Sequence, residues 1–278
     1  MSAGVFLPQS LSELWPLLAD GAVPMAGGTD LLARRRGRAP GFVACLERIG
    51  ELRGVSEEGG LLRLGACETH TSLLGNPGLR ERLPILARAL AVLGSPLVRN
   101  MGTIGGNIVT ASPAGDTLPP LYALDAELEL ASRGGARRLP LAEFIAGPGK
   151  TLLGPGEIVS AVLVPVPEAG SGVVQHFEKV GRRKALAIAV VSLAALVRTG
   201  PGNVVVEARL ALGSVGPTVV RCLNAERELL GRRLDQAALS RAAAAVREEV
   251  APIDDLRASA AYRRDVAGNL LLRLAPPS

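Results

Sequence analysis

Leu14, Leu17 and Leu18 recur at helical spacing behind Ser10-Leu-Ser-Glu13, a capping-box spacing, so a helix is predicted to begin at Leu11, with Pro16 tolerated early in its course. The apolar run 23–25 then predicts a strand, and 42–46 and 61–67 predict two more, the last preceded by a Gly59-Gly60 turn. Apolar positions return to helical spacing over 79–93, and Gly94-Ser-Pro96 stops them. From 119 to 167 short apolar runs alternate with turns, which predicts strands at 126–131, 138–141 and 158–166. Residues 165–172 read as a linker. Beyond it, 173–180, 187–198 and 204–213 predict three strands, with Gly200-Pro-Gly-Asn203 as the hairpin turn between the last two. Helices are predicted over 219–230, 235–250 and 259–274. An antiparallel sheet with trailing helices makes the class α+β, and a subdomain boundary is expected near 52–60.

Two glycine-rich segments interrupt this pattern. Val23-Pro-Met-Ala-Gly-Gly-Thr-Asp-Leu-Leu-Ala33 reads as strand, Gly27-Gly28 turn, and a helix capped by Thr29 or Asp30, whose first amides favour a phosphate. The second segment, from Arg99 to Asp116, reads as a loop in which Gly102, Gly105, Gly106 and Gly115 leave the backbone free for positive φ and for close approach to a ligand. Thr103, Asn107, Thr110 and Ser112 add neutral donors there, and Asp116 adds an acceptor for a sugar hydroxyl or an imide N–H. Together the segments have the chemistry of two halves of a pyrophosphate site, and a side chain at Gly27 or Gly105 is expected to fill the pyrophosphate's space. A plain Gly/Asn/Ser connection is the competing reading of the second. Neither segment has the Gly-x-Gly-x-x-Gly spacing of a Rossmann fingerprint.

Composition removes other classes. The 278 residues are 48% hydrophobic, enough for a folded chain of one large or two ordinary domains, with no internal repeat or low-complexity tract. No apolar run approaches a membrane span and no signal-peptide pattern opens the chain, so a cytoplasmic protein is expected. A net charge of +5 with only 3% aromatic residues lacks the basic, aromatic face of a nucleic-acid binder. The dense basic cluster Arg34-Arg35-Arg36 with Arg38 reads as a solvated helix end. Cys45, Cys67 and Cys222 are three widely spaced thiols, expected to be buried and unpaired, and His70 and His176 read as satisfied structural residues. No metal-ligand set, cysteine cluster or acid–base dyad stands out, so no catalytic residue is assigned.

Ala26-Gly-Gly-Thr-Asp30, Thr103-Ile-Gly-Gly-Asn107 and Ser112-Pro-Ala-Gly-Asp116 resemble the FAD-binding medium subunit of the xanthine dehydrogenase and carbon monoxide dehydrogenase family of molybdenum hydroxylases. The resemblance continues through Leu210-Ala-Leu-Gly-Ser-Val-Gly-Pro-Thr218 and Pro252-Ile-Asp-Asp-Leu-Arg-Ala-Ser-Ala-Ala-Tyr-Arg-Arg264 and so spans nearly the whole chain. It implies an α+β fold. A two-part FAD-binding domain of the p-cresol methylhydroxylase and vanillyl-alcohol oxidase type would occupy 1–170, with subdomains of about 1–55 and 56–170. A smaller α+β domain with a three-stranded antiparallel sheet would occupy 171–278.

The resemblance also assigns residues. Pro24, Met25, Ala26, Gly27, Gly28, Thr29, Asp30 and Leu31, with Thr103, Ile104, Gly105, Gly106 and Asn107, fall at the FAD pyrophosphate and nearby flavin. Thr110, Ser112 and Asp116 fall where relatives hold the ADP portion and ribose, and Leu93 where some stack a side chain on the adenine. Ile158, Val159 and Lys179 match positions near the isoalloxazine, where Lys179 would meet negative charge on reduced flavin; on its own, Lys179 reads equally as a surface partner of Glu178 or Glu207. Ala187 stands where many members carry an Asp, and the cysteine-rich insertion of the four-iron branch is absent. The implied function is an oxidoreductase subunit that passes electrons from a small [2Fe-2S] subunit through FAD to an external acceptor. It would work beside a large molybdenum-cofactor subunit in a dimer of heterotrimers. A cofactor-free scaffold and a standalone flavoprotein oxidoreductase are the alternatives.

Overall fold

A computed structural model describes residues 4–34, 41–167, 172–183 and 186–275, and the chain divides into two compact units. The first comprises 1–76, 95–111 and 125–165; the second comprises 77–94, 112–124 and 166–278. Arg35, Arg36 and Arg38 of the basic cluster lie outside the described residues.

The first unit opens with a parallel sheet in which Phe42–Cys45 lies between Gly4–Phe6 and Val23–Met25. Helix Leu11–Ala19 starts where the capping box placed it. Ser10 Oγ accepts from Glu13 N at 3.2 Å, while the Glu13 carboxylate accepts from Gln9 N at 2.9 Å, one residue earlier than the usual reciprocal bond. The helix buries Leu14 in a core with Ala44, Ile49 and Leu52 that also takes in Ala131 and Ile158 from a second sheet. That sheet is antiparallel, in the order Val55–Glu58, Leu61–Gly65, Ile158–Pro165, Glu127–Ser132, Gly135–Pro140. Its central strand is buried on both faces, as its unbroken apolar run requires. The strand expected over 61–67 stops at Gly65, because Ala66 N turns to Ser160 O and Cys67 N to Leu52 O.

The second glycine segment is not one loop. Helix Pro96–Met101 begins directly after Ser95, whose Oγ accepts from Val98 N at 3.1 Å, so the Ser-Pro pair expected to end a helix starts one. Helix Ile104–Thr110 follows, capped by Thr103.

In the second unit the helix expected over 79–93 is two helices, Pro77–Arg82 and Pro84–Val92. Leu83 between them has φ −127° and ψ 58°, since the ring of Pro84 disfavours helical geometry in the residue before it. The predicted strands appear as Val173–Gly181, Ala189–Thr199 and Val205–Gly213, and a two-residue edge strand, Val220–Arg221, makes the sheet four-stranded. Helices Leu223–Leu229, Gln236–Glu249 and Ala260–Leu271 form a common core with it through Leu193, Leu210, Leu239, Val246 and Leu270. The α+β expectation holds. Helix Leu118–Ala123 was not expected; it is buried along its whole length, so its sequence shows no polar face to betray a helical period.

Candidate functional site

In the first unit the two glycine segments meet. Gly27 lies against the backbone of Met101, and a Cβ there would sit 1.7 Å from the Met101 carbonyl oxygen. Asp30 takes an ion pair from Arg34 at 2.8 Å and a hydrogen bond from Thr110 Oγ1 at 3.2 Å, and the Thr110 hydroxyl also approaches Gly106 O at 2.9 Å. Neither Thr29 nor Asp30 caps Leu31–Arg34; the Asp30 carboxylate is turned to these partners instead.

The donors are distributed differently from the sequence expectation. The first four amides of helix Ile104–Thr110 are all engaged: Ile104 N by Glu68 O, Gly105 N by Ala66 O, Gly106 N by Thr103 Oγ1 and Asn107 N by Thr103 O, at 2.9–3.1 Å. They cannot converge on an anion without breaking the fold. Gly102, Gly105, Gly106 and Gly115 also lie outside the positive-φ set, so close packing explains them. A Cβ on Gly105 would meet Ala66 Cβ at 2.7 Å and Ala66 O at 2.8 Å, so the expectation that ligand space alone demands this glycine is corrected.

The first segment behaves oppositely. Among the described residues the amides of Gly27, Gly28, Thr29 and Asp30 have no acceptor, and these residues are only partly or not buried. Gly28 holds φ +68°, which lets successive N–H groups turn toward one point. Such a row of unengaged amides fits a pyrophosphate, but the collision at Gly27 is with the Met101 backbone, so packing within the chain excludes a side chain there, and the expectation that it would fill the pyrophosphate's space is corrected at Gly27 as at Gly105.

Beside this row lies a cleft of about 90 Å³, lined mainly by apolar atoms of Pro24, Ala26, Gly105, Gly106, Ile158 and Val159, all expected site residues. Leu46, Ala66, Cys67, Val109 and Leu153 complete it, and no sequence signal separated them from ordinary core residues. A bulge between Val159 and Ala161 interrupts the strand where it borders the cleft. Met25 ends its strand beneath Gly28, with Sδ 3.1 Å from where a Gly28 Cβ would be, and Leu31 begins the short helix. Cys45, Cys67 and Cys222 are free and buried, as expected; burial pushes the Cys67 thiol up to about 11, away from thiolate chemistry. His70 is buried but not satisfied: its Nδ1 has no partner among the described residues, and burial, with Arg99 as the lesser cause, lowers its pKa to about 4.

The remaining expected residues belong to the second unit. Leu93, 6% exposed, ends helix Pro84–Val92. Ser112 turns its hydroxyl on Ala114 N at 3.3 Å, and Pro113 O accepts from Ser214 N at 2.8 Å, fixing the start of the segment that carries Asp116. Lys179 is not a surface partner of Glu178 or Glu207. Its ammonium meets Asp116 Oδ2 at 2.7 Å, with both side chains more than nine-tenths buried, and reaches Val92 O at 3.4 Å. Burial raises the Asp116 pKa despite that ammonium. Lys179 also borders a cleft of about 410 Å³ with Arg88, Phe177, Arg183, Leu186 and Ala187.

An amide row suited to a pyrophosphate with an apolar cleft beside it is the arrangement of a nucleotide-cofactor-binding protein, in which the cofactor brings the redox chemistry. Comparison with known proteins makes this specific. Residues 1–167 match the family model of the FAD binding domain in molybdopterin dehydrogenase, and 175–276 match that of the CO dehydrogenase flavoprotein C-terminal domain. The chain is 34% identical to the carbon monoxide dehydrogenase medium chain of Afipia carboxidovorans, covering 96% of this chain and 93% of that one. It is also 34% identical to the xanthine dehydrogenase FAD-binding subunit of Escherichia coli O157:H7, over 91% and 88%. Among solved structures, carbon monoxide dehydrogenase of Hydrogenophaga pseudoflava superposes with a TM-score of 0.91 at 33% identity, over 98% of this chain and 96% of that one. Quinoline 2-oxidoreductase of Pseudomonas putida also gives a TM-score of 0.91, at 30% identity over 98% and 95%. The chain belongs to the family of FAD-binding medium subunits of molybdenum hydroxylases. No helix among the described residues is long and apolar enough to cross a membrane.

Proposed function

We propose that this chain binds FAD non-covalently and carries electrons within a molybdenum hydroxylase complex, from the iron–sulfur centre of a small [2Fe-2S] subunit to an external acceptor. The substrate's own chemistry would fall to a large molybdenum-cofactor subunit, in a dimer of heterotrimers located in the cytoplasm. The observation that carries this reading is the row of unengaged amides from Gly27 to Asp30 beside an apolar cleft. Bound FAD supplies the electron chemistry; the chain supplies binding, orientation and electrostatics.

On this reading, the amides of Gly27–Asp30 hold the pyrophosphate, with Pro24, Met25 and Leu31 fixing the ends of the turn. Thr103 and Asn107 border the same ground, while Thr110 ties the two glycine segments together through Asp30. Ala26, Gly105, Gly106, Ile158 and Val159 present apolar surface that excludes water from the flavin, and Ile104 is buried at the start of the helix that carries the two glycines. In the second unit, Leu93 packs on the adenine, Ser112 and Asp116 take the ADP ribose, and Lys179 adds a cation beside Asp116. The reading keeps an FAD-binding domain of 1–170, with subdomains 1–55 and 56–170, and a C-terminal domain of 171–278; the family matches ending at 167 and starting at 175 support it.

The test is the purified chain alone. It should be yellow, with about one FAD per chain and a flavin that dithionite reduces, and it should leave purines, aldehydes, carbon monoxide and aromatic heterocycles unoxidised until the partner subunits are added. A colourless chain that still assembles with its partners would favour the scaffold reading. Oxidation of such a substrate by the chain alone would favour a standalone oxidoreductase.

A further inference from the structure

The antiparallel sheet of the second unit has one long open edge. Strand Val173–Gly181, nine residues long, stands outside Ala189–Thr199, with no strand beyond it among the described residues. Thr199 N donates to Gly172 O at 2.9 Å, and Val173 lies opposite Arg198. Bonded positions alternate in an antiparallel pair, so His176 and Glu178 turn their backbone groups to the neighbouring strand while Gln175, Phe177 and Lys179 turn theirs outward. The Gln175 carbonyl accordingly accepts from Arg88 Nη1, at 2.7 Å. Among the described residues the amides of Phe177 and Lys179 have no acceptor and their carbonyls no donor. Edge strands are ordinarily guarded by free charged side chains. Here those charges are committed, Lys179 to Asp116 at 2.7 Å and Glu178 to Arg273 at 2.5 Å.

Cations stand beside this edge without counter-charges. The cleft of about 410 Å³ that Phe177 and Lys179 border also carries Arg88 and Arg183. Arg88 donates to the Gln175 carbonyl and Arg183 to Leu186 O, at 2.6 and 3.2 Å, and neither meets a carboxylate among the described residues. Glu178, also on the lining, is the carboxylate held by Arg273. Apolar side chains continue the surface. Leu186 and Ile188 are exposed, and Arg182 Nη1 donates to the carbonyl of Leu256 at 3.1 Å, where the Leu256 residue is 84% exposed. Exposed apolar surface beside uncompensated arginines is the composition of a protein-binding face.

Phe177 and Lys179 each present an amide and a carbonyl, about 7 Å apart along the strand, so a bare anion would satisfy the amides and leave the carbonyls unpaired. An extended chain alternates donor and acceptor at that spacing. Arg88 and Arg183 call for carboxylates on it. We propose that this face docks a partner subunit through an extended acidic segment, which pairs with Phe177 and Lys179 as an added strand, sets carboxylates against Arg88 and Arg183, and covers Leu186, Ile188 and Leu256. This rests on the reading of the chain as one subunit of a complex, and it names a surface by which that complex is held.

The experiment uses the full chain loaded with FAD, alone and bound to each partner subunit in turn, and reads hydrogen exchange residue by residue together with the dissociation constant of each pair. One partner should slow exchange at Phe177 and Lys179 roughly tenfold or more, while His176 and Glu178, already bonded to the neighbouring strand, keep the rates they had. That alternation belongs to strand pairing, since a surface merely shielded from water would slow both sets. Arg88→Glu and Arg183→Glu should each weaken that partner roughly tenfold or more with FAD content unchanged, and Arg88→Lys should keep most of the affinity. Amides of Phe177 and Lys179 that already exchange slowly in the FAD-loaded chain alone overturn the proposal, because the cofactor or a second copy of the chain would then hold the edge. So does a bound partner that leaves both amides exchanging as before, or a pair of charge reversals that leaves its affinity within twofold. A chain that binds neither partner subunit overturns the subunit reading instead.

Discussion

Replacing Gly27 with alanine is the sharpest perturbation the structure offers. Gly27 does not need a positive φ, so the backbone conformation suits alanine and only the added methyl matters. That methyl would lie 1.7 Å from Met101 O, 2.5 Å from Met101 C and 3.1 Å from Gly102 N. All three are backbone atoms, so no side chain can swing away. Reaching even 3.0 Å means opening the contact by about 1.3 Å, the difference from the 1.7 Å now present, enough to take an amide at 2.9 Å from its acceptor out of hydrogen-bonding range. The overpacking should lower stability by about 1–3 kcal/mol. Misplacing two of the four amides proposed to hold the pyrophosphate, at roughly 1.5–3 kcal/mol each for bonds to a charged group, should weaken FAD binding about a hundredfold or more. Urea denaturation and FAD titration of the full chain measure the two effects. Gly75→Ala, where no atom lies within 4 Å of the new methyl, is the control and should change neither appreciably. A Gly27→Ala chain with unchanged stability and FAD affinity within twofold of the original would show that neither the Met101 contact nor the amide row depends on this glycine.

Three further outcomes follow from particular contacts. Arg263 is buried and donates to Asp255 at 2.6 Å and to Ser214 O at 3.0 Å; Asp255 keeps its bonds from Arg257 and Ala258, so Arg263→Leu should cost about 1–3 kcal/mol in urea denaturation, chiefly by leaving the buried Ser214 carbonyl without its donor. Thr103→Val removes the acceptor of Gly106 N and should cost about 1 kcal/mol by the same assay. His70 has a folded pKa of about 4 against 6.5 unfolded, so as pH falls through 6.5 the unfolded chain takes up the proton first; stability is whole above pH 6.5 and drains by about 3 kcal/mol on approaching pH 4. His70→Gln should remove that part of the acid sensitivity, and an unchanged pH slope would count against it.

How much of this was legible in the sequence depended on whether local chemistry decided it. Capping boxes, alternating strands and the turn at Gly200-Pro-Gly-Asn203 carry their own signals, so helix Leu11–Ala19 and the strands of the second unit fell close to expectation. Ser95-Pro96 carries two opposite signals, a stop for one helix and a start for the next, and only the packing of both helices shows that it is each in turn. At Gly105 and Gly106 glycine says only that no side chain fits. That Ala66 stands against the one and the Thr103 hydroxyl against the other is a tertiary fact. The same holds for Lys179 and Asp116, 63 residues apart in sequence, which no spacing argument could bring together.

The amide row at Gly27–Asp30 can be observed directly in the ¹⁵N-labelled chain by nuclear magnetic resonance as FAD is added. The amide signals of Gly27, Gly28, Thr29 and Asp30 should shift and become protected from exchange with water on saturation, while those of Gly105 and Gly106, already bound to Ala66 O and Thr103 Oγ1, keep the protection they had. Saturation with FAD that leaves the four first-segment amides unshifted and freely exchanging would contradict the pyrophosphate assignment.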